Sequence, residues 1–128
     1  RSLEALKALG AEASTETCDV TDRASVDACF KATLEKYGRV DGMFANAGRS
    51  LGRKSFVERG DEDWDAIMKA NVYGVVYSFQ AATRHMMERA AAGDRFGRLV
   101  VTSSVASIDG AAGNDPYGAS KAGVNGLV

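Results

Sequence analysis

The stretch that decides the fold is GRLVVTSSVAS, residues 97–107. Within it, residues 99–101 form a short continuous apolar run, which is typical of a strand buried on both faces of a parallel sheet. The run leads directly into three small polar residues, 102–104. Because packing does not require hydroxyl groups at the end of a strand, this pattern predicts a ligand site at that end.

Helical and strand patterns alternate along the rest of the chain. Helices are predicted where apolar residues recur every three or four positions: over 2–9, from a cap at Asp22 or Ser25 to Gly38, over 61–92, and from Pro116 onward. Residues 13–20 and 40–45 have the pattern of short strands. Strict alternation predicts the α/β class with a parallel sheet, in which ligands bind at the carboxyl ends of the strands.

Composition limits the kinds of function. The chain has 128 residues, 45% of them hydrophobic and 26% charged, as expected for one soluble globular domain. Its net charge of -1 argues against a dedicated nucleic-acid or membrane-surface binder. We expect the basic residues of loop 49–59 to form an ordinary solvated loop, with attraction of a phosphate-bearing substrate as the alternative.

The cysteine and histidine content further limits the kinds of site that the chain can contain. Cys18 and Cys29 form neither a CxxC pair nor, with the single histidine His85, a metal-binding cluster, so no metal site is expected. Two thiols without a disulfide framework indicate a reducing compartment, and a cytoplasmic location is expected. We expect Cys18 to pack under the sheet and His85 to face solvent or a partner subunit.

Tyr117 and Lys121 are candidates for acid/base chemistry in a chain that has a single histidine. They lie four residues apart at the start of the last helix and therefore share one face. A nearby ammonium favours the phenolate and lowers the pKa of a tyrosine. Taken alone, the pair is more typical of an amphipathic helix with a surface lysine.

Two further polar residues favour the catalytic interpretation. Ser104 lies at the carboxyl end of a predicted strand, thirteen residues before Tyr117, where its hydroxyl could bind the same reacting oxygen. Asn71 is a poor helix former inside an apolar-striped helix, and the alternative is an amide at the core edge that bonds to backbone.

These residues belong to a set of motifs whose order and spacing resemble the short-chain dehydrogenases/reductases over essentially the whole chain. The motifs are CDVTD at 18–22, NAG at 46–48, MKANVYG at 68–74, GRLVVTSSVAS at 97–107 and YGASK at 117–121. The resemblance implies the central part of a doubly wound, three-layer Rossmann-type domain, a cofactor that is NAD or NADP, and hydride transfer between a secondary alcohol and a ketone or aldehyde.

The resemblance also implies roles at the reacting end of the site. Tyr117 would be the acid/base, and Lys121 would lower its pKa and hold the nicotinamide ribose. Ser104 would bind the substrate oxygen together with Tyr117. Asn71 would hold a water that links Lys121 to solvent.

The same resemblance implies a cofactor-binding set along the strand ends. Asp19 would bond to the adenine amine, with Val20 beside the ring. Asn46, Ala47 and Gly48 would pack against the adenosine side of the cofactor, and Tyr117 and Lys121 would contact its other end.

The family pattern is incomplete in this chain. No glycine-rich turn of the kind that binds a dinucleotide diphosphate occurs; GAAG at 110–113 follows the strand that carries Ser104 and fits an active-site loop. Ala45 replaces the first of the usual two asparagines. We therefore expect residues 1–128 to be a single partial NAD(P)-binding Rossmann-type domain.

Several expectations follow for the parent protein and for this piece. The parent would act on a small alcohol or carbonyl compound as a homo-oligomer, with no nucleic-acid or membrane partner. The alternative is a non-catalytic fragment or scaffold that cannot bind cofactor without an upstream segment. We expect the isolated chain to be inactive and to fold poorly, since the strands at 13–20 and 40–45 are not neighbours in the family's sheet. A flavodoxin-like binding domain would leave the four candidate catalytic residues unexplained.

Overall fold

The computed structural model describes residues 2–128 and consists of helices and a small parallel sheet. The helices are α1 (Ser2–Ala8), α2 (Arg23–Tyr37), α3 (Asp61–Met68), α4 (Gly74–Ala91), α5 (Ala106–Asp109) and α6 (Asp115–Asn125). The strands are β1 (Gly42–Ala45) and β2 (Arg98–Val101), which pair in parallel with Gly42 opposite Arg98. A short 3₁₀ helix covers Phe56–Glu58, and a π-helical turn at Lys69–Tyr73 joins α3 to α4.

Helix α2 shows how local sequence sets the boundaries of an element. Asp22 is the residue that caps it, since its carboxylate accepts a hydrogen bond from the backbone N–H of Ala24 at 3.0 Å. The helix ends at Gly38, whose φ of 75° is in the left-handed region and whose N–H bonds to the carbonyl of Leu34 at 2.8 Å. The predicted helix is confirmed at both ends.

The core lies on one face of the sheet. The strand residues that alternate toward the helices pack against a cluster of buried apolar side chains on α4 and α6: Val75, Phe79 and Val124. On the opposite face, Phe44 is 62% exposed and Val100 is 49% exposed. The expectation that the strand over 99–101 is buried on both faces is therefore wrong for the described residues, because the helices that pack on the sheet cover one side of it.

The expected strand at 13–20 is also wrong. These residues form no strand, since β1 pairs with β2 and no other described segment lies alongside them to complete a ladder. Side-chain contacts hold the segment instead: Tyr37 donates a hydrogen bond to the hydroxyl of Ser14 at 3.0 Å. Val20 lies so close to α4 that a Cβ on Gly74 would be 3.0 Å from it. A β-strand requires hydrogen bonds to a partner strand. This segment instead contacts α2 and α4.

The long helix predicted over 61–92 is present but is not a uniform α-helix. The π-helical turn at Lys69–Tyr73 interrupts it and contains Asn71, which is fully buried. Single π-helical turns are rare and occur frequently at functional sites. The π-helical turn and the sequence pattern therefore both indicate Asn71 as a candidate functional residue.

A network of charged side chains fastens the end of α4 to the start of β1. The guanidinium of Arg89 donates to the carbonyl of Val40 at 2.8 Å and to the carboxylates of Asp41 at 2.8 Å and Asp94 at 2.6 Å. Arg39 also bonds to both carboxylates. Hydrogen bonds, chiefly from Arg39 to Asp41 and from Arg89 to Asp94, lower the pKa of each carboxyl group.

Two expectations about single side chains are corrected. His85 does not simply face solvent: its Nε2 accepts a hydrogen bond from the N–H of Val40 at 3.3 Å, and its ring meets Phe30 edge-on. Cys18 is exposed rather than packed under the sheet, because its segment is not a strand. No helix within the described residues is long and apolar enough to cross a membrane.

The charged network predicts an acid-sensitive contribution to stability. The pKa values of Asp41 and Asp94 are lowered from 3.8 in the folded protein, so their contribution is fully present above that value and is lost as pH falls through the folded pKa. We predict that the paired variant Asp41→Asn with Asp94→Asn loses less stability than the wild type between about pH 5 and about pH 3. Urea unfolding followed by circular dichroism measures the difference.

A matched control tests whether the position of the carboxylates matters. Asp27 and Asp65 are exposed and form no ion pair among the described residues. The variant Asp27→Asn with Asp65→Asn removes the same charge and should keep the acid sensitivity of the wild type. Equal pH dependence of the two double variants would contradict the stabilising role of the network.

Candidate active site

The carboxyl ends of β1 and β2 and the first turns of α6 meet at one cleft of about 410 Å³. Its lining residues come from these three places: Asn46, Gly48, Arg49, Ser50, Thr102, Asn114, Tyr117 and Lys121. The structure thus brings together the Tyr/Lys pair and part of the NAG motif, which are far apart in the chain. Among residues 2–128, no group of His, Cys, Asp or Glu side chains is arranged to hold a metal ion.

Lys121 is the buried cation of this cleft. Its residue is 5% exposed, and its ammonium donates a hydrogen bond to the carbonyl of Thr102 at 2.7 Å. The Nζ atom lies 5.7 Å from the centre of the Tyr117 ring. A buried charge is costly unless it is satisfied, and the strand-end carbonyl supplies the partner. The arrangement fixes a positive charge beside a phenol, which is what a tyrosine acid/base requires.

Asn71 links the loop after β1 to helix α6. Its Oδ1 accepts a hydrogen bond from the N–H of Arg49 at 2.8 Å, and its Nδ2 donates to the carbonyl of Arg49 at 3.0 Å and to Ser120 Oγ at 2.9 Å. Ser120, also fully buried, donates in turn to the carbonyl of Tyr117 at 2.7 Å. Both amide hydrogens of Asn71 are therefore used within the protein. The expected role in holding a water beside Lys121 stays a prediction.

Gly48 is needed where Asn71 and Lys121 come close. A Cβ at this position would lie 3.2 Å from Asn71 Oδ1 and 3.5 Å from Lys121 Nζ. The absence of a side chain lets the loop backbone approach the Asn71 amide and the ammonium closely.

Ser104 lies three residues after the end of β2 and is not among the residues that line the cleft. Its Oγ accepts a hydrogen bond from the N–H of Ala106 at 3.2 Å, at the start of α5. Thr102, which sequence reasoning did not assign, has the more direct contacts: its carbonyl binds Lys121, and its hydroxyl donates to Asn46 Oδ1 at 2.7 Å. The position of Thr102 directly after β2 is the sequence feature that could have identified it as a site residue.

A second, smaller cavity of about 80 Å³ adjoins the cleft through the shared residue Asn46. Val20 and Ala47 line it together with Gly74. Asp19 does not line this cavity. Its carboxylate accepts hydrogen bonds from the backbone and hydroxyl of Thr21 at 2.9 Å and 2.8 Å, which lower its pKa.

The loop over 49–59 is not simply solvated, contrary to expectation. The side chain of Arg59 is 2% exposed and donates to the carbonyls of Gly52 and Gly113, the latter at 2.8 Å, and to Asp63 at 3.4 Å. The backbone N–H of Lys54 reaches the same Gly113 carbonyl at 2.8 Å. Arg59 thus joins the loop after β1 to the loop before α6, and both loops border the cleft.

Known proteins are similar to this chain in sequence and in structure. The family model of the short chain dehydrogenase matches residues 1–128. The chain belongs to the short-chain dehydrogenase family. It is 41% identical over 117 residues to short-chain dehydrogenase reductase 3a of Arabidopsis thaliana, covering 91% of this chain and 44% of that protein. It is 37% identical over 111 residues to a 3-oxoacyl-(acyl-carrier-protein) reductase of Thermotoga maritima, covering 86% of this chain and 42% of that protein.

Solved short-chain dehydrogenase structures have the same fold. A family member from Burkholderia phymatum in complex with NAD superposes with a TM-score of 0.89 at 31% identity, over 98% of this chain and 43% of that one. NAD⁺-bound xylitol dehydrogenase gives 0.90 at 26% identity, over 98% and 46%. The predicted α/β, Rossmann-type fold class is confirmed. The chain spans less than half the length of these relatives.

The buried guanidinium in this short-chain dehydrogenase chain predicts a strong and local effect of mutation. Arg59→Met removes the hydrogen bonds to Gly52 and Gly113 and leaves Asp63 without this partner. We expect the free energy of unfolding to fall by about 3 kcal/mol, as for other broken buried ion pairs. Hydrogen exchange at the Lys54 amide should also accelerate.

Arg53→Met is the matched control, since Arg53 is exposed in the same loop and forms no ion pair among the described residues. It should change the free energy of unfolding by no more than about 0.5 kcal/mol. Comparable losses in the two variants would show that Arg59 does not hold the loops.

Proposed function

We propose that the protein to which this chain belongs is an NAD(P)-dependent oxidoreductase. It would transfer hydride between a secondary alcohol and a ketone or aldehyde, with Tyr117 as acid/base. The observation that carries the proposal is the buried ammonium of Lys121, bonded to Thr102 and held 5.7 Å from the Tyr117 ring in the cleft at the strand ends. Relatives named as reductases and neighbours bound to NAD or NADP support it.

The site offers two neighbouring cavities to an extended dinucleotide. The cleft with Tyr117 and Lys121 and the smaller cavity with Val20 and Ala47 share the lining residue Asn46. We assign the nicotinamide ribose to the Tyr117–Lys121 end and the adenosine to the Val20 end. When bound, such a cofactor supplies or accepts the hydride. Both NAD and NADP are compatible with these residues.

Gly48 and Asp19 complete the proposed cofactor contacts. Gly48 and Lys121 line the same cleft, so the Gly48 backbone would contact a ligand held next to the ammonium. Asp19 has one carboxylate oxygen engaged by Thr21, and its lowered pKa keeps it ionised as an acceptor for the adenine amine. Together with residues 46–48 these positions define the partial NAD(P)-binding domain that we assign to residues 1–128.

The proton would move at the phenolic oxygen of Tyr117. During reduction the Tyr117 hydroxyl would donate its proton to the carbonyl oxygen of the substrate. During oxidation the phenolate would accept the hydroxyl proton of the substrate alcohol. The hydroxyl of Ser104 accepts from Ala106, which leaves its own hydrogen to donate to the substrate oxygen. Asn71 would act as a positioning residue through Arg49 and Ser120, and a water held near it would connect Lys121 to solvent.

The second candidate is a non-catalytic fragment or scaffold. It is favoured by the sheet, which has two strands and exposes Phe44 and Val100 on one face among the described residues. The sequence also lacks a glycine-rich diphosphate-binding turn. A homo-oligomeric assembly, a small alcohol or carbonyl substrate and a cytoplasmic location stay predictions for the parent protein.

The acid/base role predicts the outcome of removing one hydroxyl. In the full-length protein, Tyr117→Phe should lower kcat for reduction of ethyl acetoacetate at least about 100-fold, because the proton donor is lost. The Kd for NADH or NADPH, measured by cofactor fluorescence, should stay within about twofold, since the ring and Lys121 remain. Tyr73→Phe removes an exposed hydroxyl away from the cleft and should leave both values unchanged. Turnover that survives in Tyr117→Phe would refute the mechanism.

Cofactor titration separates the two candidate functions. The 128-residue chain alone should show no NADH or NADPH binding by fluorescence, whereas the same chain extended upstream should bind. Binding by the isolated chain would contradict the fragment interpretation. An extended protein that binds neither cofactor would contradict the oxidoreductase proposal.

A further inference from the structure

The charge of the candidate cleft differs in sign from that of the chain as a whole. Of the residues that line the cleft, Arg49 and Lys121 are cationic and none is a carboxylate. The 128 residues together have a net charge of -1. A cleft with one sign of charge and partly buried walls attracts ligand groups of the opposite sign.

Arg49 is held at the edge of this cleft by its backbone. Both its N–H and its carbonyl bond to the fully buried Asn71 side chain, at 2.8 Å and 3.0 Å. The residue before it, Gly48, lies against Lys121. The starting point of the Arg49 side chain is therefore fixed relative to the Tyr117–Lys121 pair, although the side chain itself is exposed.

The guanidinium of Arg49 is free, unlike those of the arginines that stabilise the fold. Arg39, Arg59 and Arg89 each form ion pairs with aspartates. Within residues 2–128, no such partner lies at Arg49. Lys121 uses one of its three donors on the Thr102 carbonyl, whereas no guanidinium donor of Arg49 is used within the described residues.

We propose that Arg49 binds a carboxylate or phosphate group of a molecule that occupies the cleft. The planar guanidinium fork matches such anions with two parallel hydrogen bonds, which a lysine cannot provide. The proposal rests on the proposed function, because it makes Arg49 an anion subsite of the same cleft. The anion belongs either to the substrate or to the cofactor diphosphate, and the chemistry of recognition is the same for both.

The test uses two charge-matched variants of the full-length protein, Arg49→Gln and Arg53→Gln. Arg53 lies four residues further along the same loop but does not line the cleft. One arm measures the Kd of NADH by fluorescence. The other measures, by calorimetry, the Kd of acetoacetate and of ethyl acetoacetate, two ketones that differ in their carboxylate. Binding readouts are used so that the result does not depend on turnover.

Arg49→Gln should weaken one of the anionic probes by roughly 10- to 100-fold, the usual loss for a hydrogen bond to a charged group. Weaker NADH binding would assign the subsite to the cofactor diphosphate. Weaker acetoacetate binding with unchanged ester binding would assign it to the substrate carboxylate. Arg53→Gln should leave every Kd within about twofold.

Equal binding of NADH and acetoacetate by the wild type and Arg49→Gln would overturn the proposal, as would equal effects of the two variants. A different result would contradict the proposed function: the absence of NADH or NADPH oxidation with either ketone in the wild type. Near-ultraviolet circular dichroism should show that Arg49→Gln is folded, since its side chain forms no ion pair in the described structure.

Discussion

The hydrogen bonds of the buried Asn71 amide are the constraint on which the candidate site depends. One side chain satisfies the N–H and carbonyl of Arg49 after β1 and the hydroxyl of Ser120 in α6. Without it, the partly buried N–H and carbonyl of Arg49 and the buried hydroxyl of Ser120 would lose this partner at once, at a cost in free energy. Ser120 in turn donates a hydrogen bond to the carbonyl of Tyr117. The relative position of the NAG loop and the Tyr117 helix is thus set from inside the protein.

The π-helical turn explains why a polar residue can occupy this place in an apolar stripe. Helix α3 packs against α6, whereas α4 packs against β1 and α2. A π-helical turn adds a residue to the helix and changes the direction of the side chains on its two sides. The two halves of the predicted 61–92 helix can therefore face different neighbours, with Asn71 at the junction between them. The close contact of Gly74 with Val20 follows directly after the turn.

Sequence predicted what depends on neighbours along the chain and missed what depends on distant partners. The cap at Asp22, the end at Gly38 and the Tyr117–Lys121 spacing are local, and the structure contains each of them. The strand at 13–20 needed a partner strand, which local patterning cannot guarantee. The burial of Arg59 depended on Gly113, which is 54 residues away. Composition alone suggested a solvated loop, because it contains no information on that contact.

Net charge did not predict the site, because some cations of this chain form ion pairs whereas others line the cleft. Arg59 and Arg89 are paired with carboxylates, so they join loops and elements without leaving free charge. Lys121 and Arg49 face a cleft that contains no carboxylate. Averaging these groups over the chain gives a value near zero, which excludes a uniformly basic surface but not a locally positive cleft. Since an anionic ligand responds to the local field, the pairing of each arginine is more informative than the total charge.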